Sequence, residues 1–275
     1  MTHEYSNGYV MTSQSGLPLL RCQGLPFRHG FSTRLGGVSH GDGLDTLDLG
    51  AIDTPETEEN RQRFVTAFDL PREALFFARQ VHGTRIETVT ASDCGKSFVC
   101  DGFVTKEPGL LLAVKTADCL PILLGDPEAG VVAAVHAGWR GTVAGIATHA
   151  VDAMVSLGAD PKRIRAAFGP AIHRCCYEVD DPFVEAVGAA KVGELLLTAI
   201  VPDPYKPGHY HADLPLMNEI LLHSAGLSSD HIFGTAFCTA CAPTLFFSHR
   251  ASSGKRGLMM AGIRADCPLD KNRRI

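Results

Sequence analysis

The fold is decided in residues 116–141, TADCLPILLGDPEAGVVAAVHAGWRG. Two apolar runs of five residues, 120–124 and 131–135, flank a segment that begins with Gly125 and ends with Gly130. Apolar runs on either side of a short connection rich in glycine and proline are typical of a β-hairpin. We therefore predict two paired strands here and take them as the centre of the fold.

The register of this hairpin decides whether a site can form at its open end. If Leu124 pairs with Val131, Cys119 falls opposite His136, with the two Cβ atoms roughly 5 Å apart. A zinc ion can span that gap, because its bonds are about 2.0 Å to nitrogen and about 2.3 Å to sulfur. A buried thiol beside a structural imidazole explains the same two residues, and spacing alone identifies no third ligand.

The segment that follows His136 favours an anionic ligand. Glycines flank Trp139 and Arg140, so the backbone can approach a ligand closely, and a helix is predicted from Thr142. The free N–H groups of a first helical turn attract anions, and the Arg140 guanidinium can hold a phosphate or carboxylate at two points. We expect phosphate or a substrate anion here.

The composition favours a small substrate. The 275 residues are 45 % apolar, and the net charge of −5 includes no block of like charges, so a nucleic-acid partner is not expected. No apolar run approaches the roughly 20 residues that span a bilayer, and residues 1–30 lack the core of a signal peptide. We expect a cytoplasmic protein without membrane contact, whose nine cysteines stay reduced. The oligomeric state is left open.

Strand-like runs outnumber helical ones. Helices are predicted at 55–68, 142–157 and 214–225, the last with Asp213 as its N-cap. Strands are predicted at 110–115, 120–124, 131–135, 165–168, 232–237, 244–248 and 257–263. Because strands and helices do not alternate regularly, we predict an α+β fold with mixed sheets in a single domain, 1–275. Residues 1–25 and 265–275 are expected at the periphery.

Taken together, several segments resemble the laccase-domain family, long named multicopper polyphenol oxidoreductase and now associated with purine nucleoside phosphorylase activity. Its relatives have also been described as peptidoglycan editing factors. The matching segments are Gly30–Ser39, Gln80–Gly83, Thr116–Pro121, Ala134–Gly141, Gly169–Pro170, Cys175–Val179, Cys238–Thr239 and Phe247–Ser248. The resemblance implies an α/β/β/α layered sandwich.

The resemblance also implies a ligand set. In the family, the histidine of the Q-V-H-G segment, the cysteine of A-D-C and the histidine of H-A-G-W-R-G bind zinc. These fall on His82, Cys119 and His136. Three protein ligands leave one position of a tetrahedral ion open, as in catalytic rather than structural zinc sites.

The implied chemistry is phosphorolysis of adenosine or inosine to a free base and ribose 1-phosphate, with adenosine deamination as a companion activity. The expected substrates are purine nucleosides and phosphate, with phosphate held by Arg140 or Arg34. Asp118 and Asp101 are candidates for a carboxylate that transfers protons, or for partners that orient the histidine ligands. Gln80 could bind a purine edge or fix the loop that carries His82.

Two other groups invite a metal interpretation. Cys238 and Cys241 form a Cys-x-x-Cys pair, which suggests a metal or redox role. A structural zinc site normally has a second pair at similar spacing, but Cys175 and Cys176 are adjacent, which favours buried or packed thiols. His209 and His211 form an H-x-H pair in the loop 202–211, without the compact cluster that a copper centre needs. We expect surface residues or a lid there, and no copper oxidase activity.

Two other functions fit the same residues. In a cysteine hydrolase or amidase, such as an enzyme that edits cell-wall precursors, Cys119 would be a nucleophile activated by His136. Metal content after substitution of His82 separates this from a zinc site, because a nucleophile needs no third donor. The second alternative is a nucleoside-binding protein without turnover.

Overall fold

The computed structural model describes residues 3–5, 8–41, 46–50 and 53–266. Parts of the predicted turn at 40–43 and of both ends lie outside these ranges. The strands are β1 His3–Tyr5, β2 Tyr9–Gln14, β3 Leu17–Cys22, β4 His29–Ser32, β5 Leu75–Phe76, β6 Ile86–Thr88, β7 Gly102–Thr105, β8 Leu111–Thr116, β9 Leu120–Asp126, β10 Val131–Ala137, β11 Arg165–Phe168, β12 Glu178–Asp180, β13 Ile200–Pro202, β14 His209–Ala212, β15 Ile232–Phe233 and β16 Met259–Arg264. The α-helices are α1 Pro55–Thr66, α2 Trp139–Val143, α3 Ile146–Ser156, α4 Asp181–Gly188, α5 Gly193–Leu197 and α6 Leu214–Ser224.

The strands form two large mixed sheets and one small sheet. One large sheet has the order β1-β2-β3-β4-β16-β8-β5, and the other has the order β15-β11-β9-β10-β7-β6. Parallel pairs lie only at sheet edges within the described residues, at β5–β8, β6–β7 and β11–β15. The small antiparallel sheet, β12-β14-β13, stands apart from both.

Three buried clusters show how the layers stack. The first lies between α1 and the seven-stranded sheet and includes Phe64 from the helix and Leu19 from the sheet. The second fills the space between the two large sheets, with Leu112 on one and Leu123 on the other. The third joins the six-stranded sheet to the helices α3 to α6. The predicted α/β/β/α sandwich is confirmed.

The predicted hairpin forms, but its register was wrong. Val131 pairs with Asp126 and His136 with Pro121, two residues from the predicted alignment. The reason is the turn: the Asp126 carboxylate accepts the N–H groups of Glu128 and Ala129 at 2.9 and 3.2 Å, so the strand continues to residue 126. Because a shift of two residues keeps every side chain on its face, Cys119 and His136 still lie on the same side.

Other boundaries also differ from the predictions. The helix predicted at 142–157 starts earlier and is divided into α2 and α3 at Gly145, whose φ of 84° is left-handed. Residues 244–248 are irregular rather than a strand, and only the first two residues of 232–237 pair. The helix α6 is confirmed, with the Asp213 carboxylate accepting the N–H of Leu216.

The N-terminal segment is more central than expected. Strands β2 and β3 pair along their whole length, and Leu19 and Leu20 are fully buried. The Tyr9 hydroxyl donates to the carbonyls of Phe168 and Phe233 in the other sheet. In the described residues, no helix combines the length and apolarity needed to cross a bilayer.

Candidate metal centre

Three side chains from separate parts of the chain converge at one end of the six-stranded sheet. Cys119 immediately precedes β9, His136 lies on β10, and His82 is in the loop between β5 and β6. Their donor atoms all lie within 4.8 Å of one another. The two imidazole rings are inclined at 71° to each other, with centroids 4.8 Å apart, so each can direct a nitrogen to a shared point.

The loop that carries His82 is fixed by the buried carboxylate of Asp101. The N–H groups of His82 and Gly83 donate to Asp101 at 2.9 and 2.8 Å, and that of Val81 donates at 3.2 Å. His82 has a φ of 58°, a left-handed conformation that is uncommon for residues other than glycine. Such strain is often found at functional sites, and here three charge-assisted hydrogen bonds hold it.

The same carboxylate orients His136. Oδ1 of Asp101 lies 2.9 Å from Nδ1 of His136, and both residues are almost fully buried. The backbone N–H of His136 also donates to the Asp101 carbonyl. A carboxylate at Nδ1 leaves Nε2 as the ring nitrogen that can serve as a metal ligand, the usual arrangement for histidine ligands in proteins.

The hydrogen bonds around Cys119 and His136 shift the pKa values of both side chains toward their charged forms. Burial by itself would raise the pKa of Cys119, but hydrogen bonds with His136 and His82 lower this pKa below the usual thiol range. Burial likewise favours neutral His136, yet the hydrogen bonds with Asp101 and Cys119 raise the pKa of its imidazole above the usual value. The site therefore favours a thiolate, the form of cysteine that binds metals.

Gly138 is the glycine that the site requires. A Cβ atom added to this residue would lie 2.5 Å from Nδ1 of His82 and 3.3 Å from Sγ of Cys119. A Cβ on Gly141 would lie 2.7 Å from the carbonyl oxygen of Gly83. The two glycines around Trp139 and Arg140 therefore let the His82 loop pack against the end of β10.

Asp118, the residue before Cys119, connects the site to the segments that contain Thr239 and Arg250. Its carboxylate accepts the hydroxyl of Thr239 at 2.6 Å and the backbone N–H of Arg250 at 2.7 Å. Asp118 also has a positive φ of 93°, so residues on both sides of the site are in an unusual conformation. Because both oxygens are bonded within the protein, the geometry favours a positioning role for Asp118 and for Asp101.

A cavity of about 220 Å³ is lined by His82 and Cys119, while the third candidate ligand, His136, is buried behind them. It contains groups that the sequence analysis did not assign: Tyr177, His249, Arg250 and Arg256. Among the residues that the structure describes, Nε of Arg256 is buried without a hydrogen-bond partner. A signal was available, because Tyr177 directly follows Cys175-Cys176, and His249 and Arg250 directly follow Phe247-Ser248, segments quoted above only for their resemblance.

Arg140 lies in an adjoining groove of about 670 Å³ rather than in this cavity. The groove and the cavity share Trp139, Tyr177 and Arg250. The guanidinium of Arg140 is exposed and stacks on Trp139, with 4.3 Å to the ring centroid. Helix α2 has only five residues, so Arg140 itself, rather than the helix terminus, is the group that can attract an anion here.

Two other predicted residues are engaged elsewhere. Gln80 uses both ends of its amide on the backbone of Lys115, with two hydrogen bonds of 2.8 Å, and so fixes the loop before His82. The Arg34 guanidinium donates to the Pro243 carbonyl and stacks on Phe247, 4.6 Å from the ring centroid. The structure therefore gives both residues a role in holding loops.

The donor set suits a metal ion of intermediate softness. Two imidazole nitrogens and one thiolate are ligands of zinc, and three donors within 4.8 Å fit bonds of about 2.0–2.3 Å to one ion. His82 is exposed, so an ion could enter from solvent. The residues present thus fit a metal with one open position.

Comparison with known proteins assigns the chain to a family. The family model described as "Multi-copper polyphenol oxidoreductase laccase" matches residues 28–266. The chain belongs to this laccase family. It is 41 % identical over 250 residues to "Purine nucleoside phosphorylase" of Deinococcus radiodurans, a match that covers 90 % of this chain and 93 % of the relative. It is 35 % identical over 244 residues to "Adenosine deaminase RL5" of an unknown prokaryotic organism, covering 85 % and 92 %.

A solved laccase-family structure has the same fold. The crystal structure of YlmD from Geobacillus stearothermophilus superposes with a TM-score of 0.82 at 36 % identity, over 96 % of this chain and 98 % of that chain. The family description mentions copper, but among the described residues His209 and His211 belong to no group of side chains that could hold a metal ion. His209 and His211 both lie on β14, which pairs with β12, so they belong to the small sheet rather than to a loop. Their imidazole rings contact the carboxylates of Glu178 and Asp203, respectively.

Proposed function

We propose that the chain is a zinc-dependent purine nucleoside phosphorylase that acts on adenosine and inosine and also deaminates adenosine. The observation that carries the proposal is the convergence of His82, Cys119 and His136 next to a cavity that is lined by two arginines, Arg250 and Arg256. The relatives named for phosphorolysis and for deamination support the two activities. The proposal includes a cytoplasmic location, where Cys119 stays reduced.

Phosphorolysis requires positive charge both near the departing base and near the phosphate. Cleavage of the N-glycosidic bond places positive charge on the ribose and negative charge on the departing base. When bound, zinc supplies positive charge that stabilises an anionic group and acts as a Lewis acid in deamination. Arg250, Arg256 and Arg140 supply positive charge for phosphate around the cavity and its adjoining groove.

The remaining residues hold the reactants in place. Burial raises the pKa of Tyr177 well above its usual value, so its hydroxyl remains a neutral donor facing the cavity. Trp139 offers an aromatic surface shared by cavity and groove, suited to a purine ring. Asp101 and Asp118 position the histidine ligands and the Arg250 segment through the hydrogen bonds described above.

The test is a product analysis with controlled metal content. Purified protein is incubated with adenosine and phosphate, and adenine, hypoxanthine, inosine and ribose 1-phosphate are quantified separately. We expect a chelator to abolish all products, and zinc rather than copper to restore them. His82→Ala should lose turnover and the zinc held by Cys119 and His136, while His149→Ala, which changes an exposed histidine on α3, should lose neither. Full turnover in metal-free protein would refute the proposal.

A cysteine hydrolase is the second candidate, favoured by one observation. Asp101, His136 and Cys119 form the orienting acid, base and thiolate that nucleophilic catalysis requires. In that case His82→Ala would retain hydrolysis of an amide substrate, and alkylation of Cys119 would abolish it in metal-free protein. If zinc protects Cys119 from alkylation and His82→Ala is inactive, this candidate is excluded.

A further inference from the structure

Four cysteine sulfurs meet at a second point of the molecule, outside the site just described. Sγ of Cys241 lies 3.6 Å from Sγ of Cys175 and 3.3 Å from Sγ of Cys176. The four sulfurs, including that of Cys238, all lie within 4.8 Å of one another. A zinc tetrathiolate with bonds of about 2.3 Å has sulfurs separated by about 3.8 Å along each edge.

We propose that Cys175, Cys176, Cys238 and Cys241 bind a second metal ion, a structural Zn²⁺ held by four thiolates. Four protein ligands close the coordination sphere, which distinguishes this site from the three-ligand centre. The proposal does not depend on the function proposed above. It differs from the expectation from sequence, which favoured packed thiols over a second zinc site; of the four residues, Cys175 and Cys241 are exposed.

The backbone explains how adjacent cysteines can share one ion. The N–H groups of Cys176 and Tyr177 both donate to the carbonyl of His173, which folds residues 173–177 into a tight turn. A parallel bridge joins Ala171 to Cys238, and the N–H of Thr239 donates to the Ala171 carbonyl. The turn therefore faces the Cys-x-x-Cys segment, and sequence spacing gave no sign of this contact.

The surroundings suit the negative charge of a zinc tetrathiolate. The N–H of His173 lies 3.4 Å from Sγ of Cys238, a hydrogen bond that stabilises a thiolate ligand. The Arg250 guanidinium donates to the carbonyl of Cys176 at 3.2 Å, which brings a positive charge next to the cluster. Opposite charge close by offsets part of the cost of gathering four thiolates.

The position of the cluster indicates what the ion would do. Tyr177, which follows Cys176, lines the catalytic cavity, and Thr239, between the other two cysteines, holds Asp118 next to Cys119. A metal that joins the turn 173–177 to residues 238–241 would therefore fix two walls of that cavity. We expect loss of this ion to loosen the cavity without removing the three-ligand site.

The test counts zinc in the full chain purified under reducing conditions. We expect two zinc ions per chain in the wild type, one in Cys241→Ser and in Cys238→Ser, and one in His82→Ala. Cys94→Ser, which changes an exposed cysteine outside both groups, should keep two. In cobalt-substituted His82→Ala, we expect the visible bands of a tetrahedral cobalt tetrathiolate, so the site can be read even if a cysteine variant folds poorly.

Three results would overturn this inference. The first is one zinc per chain in the wild type that His82→Ala removes, which leaves the proposed function intact. The second is unchanged zinc content in both cysteine variants. The third is a disulfide among the four cysteines, detected by mass after alkylation of the protein in its reduced and non-reduced forms. Conversely, if the cysteine variants lose zinc and His82→Ala does not, the result supports the tetrathiolate and contradicts the zinc-dependent function.

Discussion

The carboxylate of Asp101 lies 2.9 Å from Nδ1 of His136, and it also receives the backbone N–H of His82. One buried side chain therefore positions two of the three candidate ligands, one through its ring and the other through its main chain. Burial by itself would raise the pKa of Asp101, but hydrogen bonds from His136 and from the backbone of Gly83 and Val81 hold the pKa below the usual range, so the carboxylate stays ionised. The geometry of the site depends on this charge.

Replacing this charge should weaken metal binding. In Asp101→Asn, an amide group must face N–H donors, so we expect metal affinity to fall by about 10- to 100-fold, as for other groups that orient histidine ligands. The measurement is competition with a chelator of known affinity. Asp126→Asn is the matched control, because Asp126 is equally buried and caps a turn of the same sheet. Equal metal affinities in the two variants would contradict this role.

Gly138 should tolerate no side chain. In Gly138→Ala, the new methyl group would overlap the His82 ring. We expect either a fall of about 1–3 kcal/mol in the free energy of unfolding, caused by overpacking, or displacement of the His82 loop. Displacement would appear as at least a tenfold loss of metal affinity, about 1.4 kcal/mol. Gly234→Ala is the control, because a Cβ there meets no atom within 4 Å. Unchanged metal affinity and stability in Gly138→Ala would show that the contact is not required.

Removal of one hydroxyl should separate positioning from stability. Thr239→Val keeps the shape of the side chain but leaves an oxygen of buried Asp118 without its donor, which costs about 1–3 kcal/mol. We also expect kcat/KM to fall roughly tenfold, because Asp118 holds the Arg250 segment at the cavity. In Thr105→Val, the lost bond to the Val89 carbonyl should reduce stability alone. Equal kinetic effects in the two variants would assign Thr239 a purely structural role.

Acid should destabilise the protein through His29. Its Nε2 accepts the N–H of Cys22 and its Nδ1 donates to the Phe27 carbonyl, so the buried ring must be neutral. Burial, the largest cause, lowers the pKa of His29 from 6.5 to about 4. Between these values the unfolded chain binds the proton and the folded protein does not, so stability falls as the pH drops from 6.5 to about 4. The full loss is about 3 kcal/mol.

The measurement for His29 is the free energy of unfolding at several pH values. His29→Gln cannot be protonated, so its stability should depend less on pH across this window than that of the wild type. His149→Gln removes an exposed histidine and should keep the wild-type slope. If the slope in His29→Gln equals that of the wild type, the buried imidazole is not the acid-sensitive group.

The sequence determined the parts of the fold that depend on neighbours in the chain. The apolar runs of β9 and β10 and the helix cap at Asp213 are local features. The two strands and the cap all form as predicted. The register of the hairpin was wrong because it depends on how the Asp126 side chain folds the turn. Side-chain hydrogen bonds of this kind are not visible in apolar periodicity.

Only the tertiary structure decided which distant residues meet. The resemblance named His82, but Asp101 and the left-handed loop it holds explain how this residue reaches Cys119. The grouping of Cys175 and Cys176 with Cys241 likewise depends on a turn and a bridge between separate segments. Local sequence fixes strands and caps because their interactions span few residues, whereas sites form from contacts between remote segments that only packing of the layers brings together.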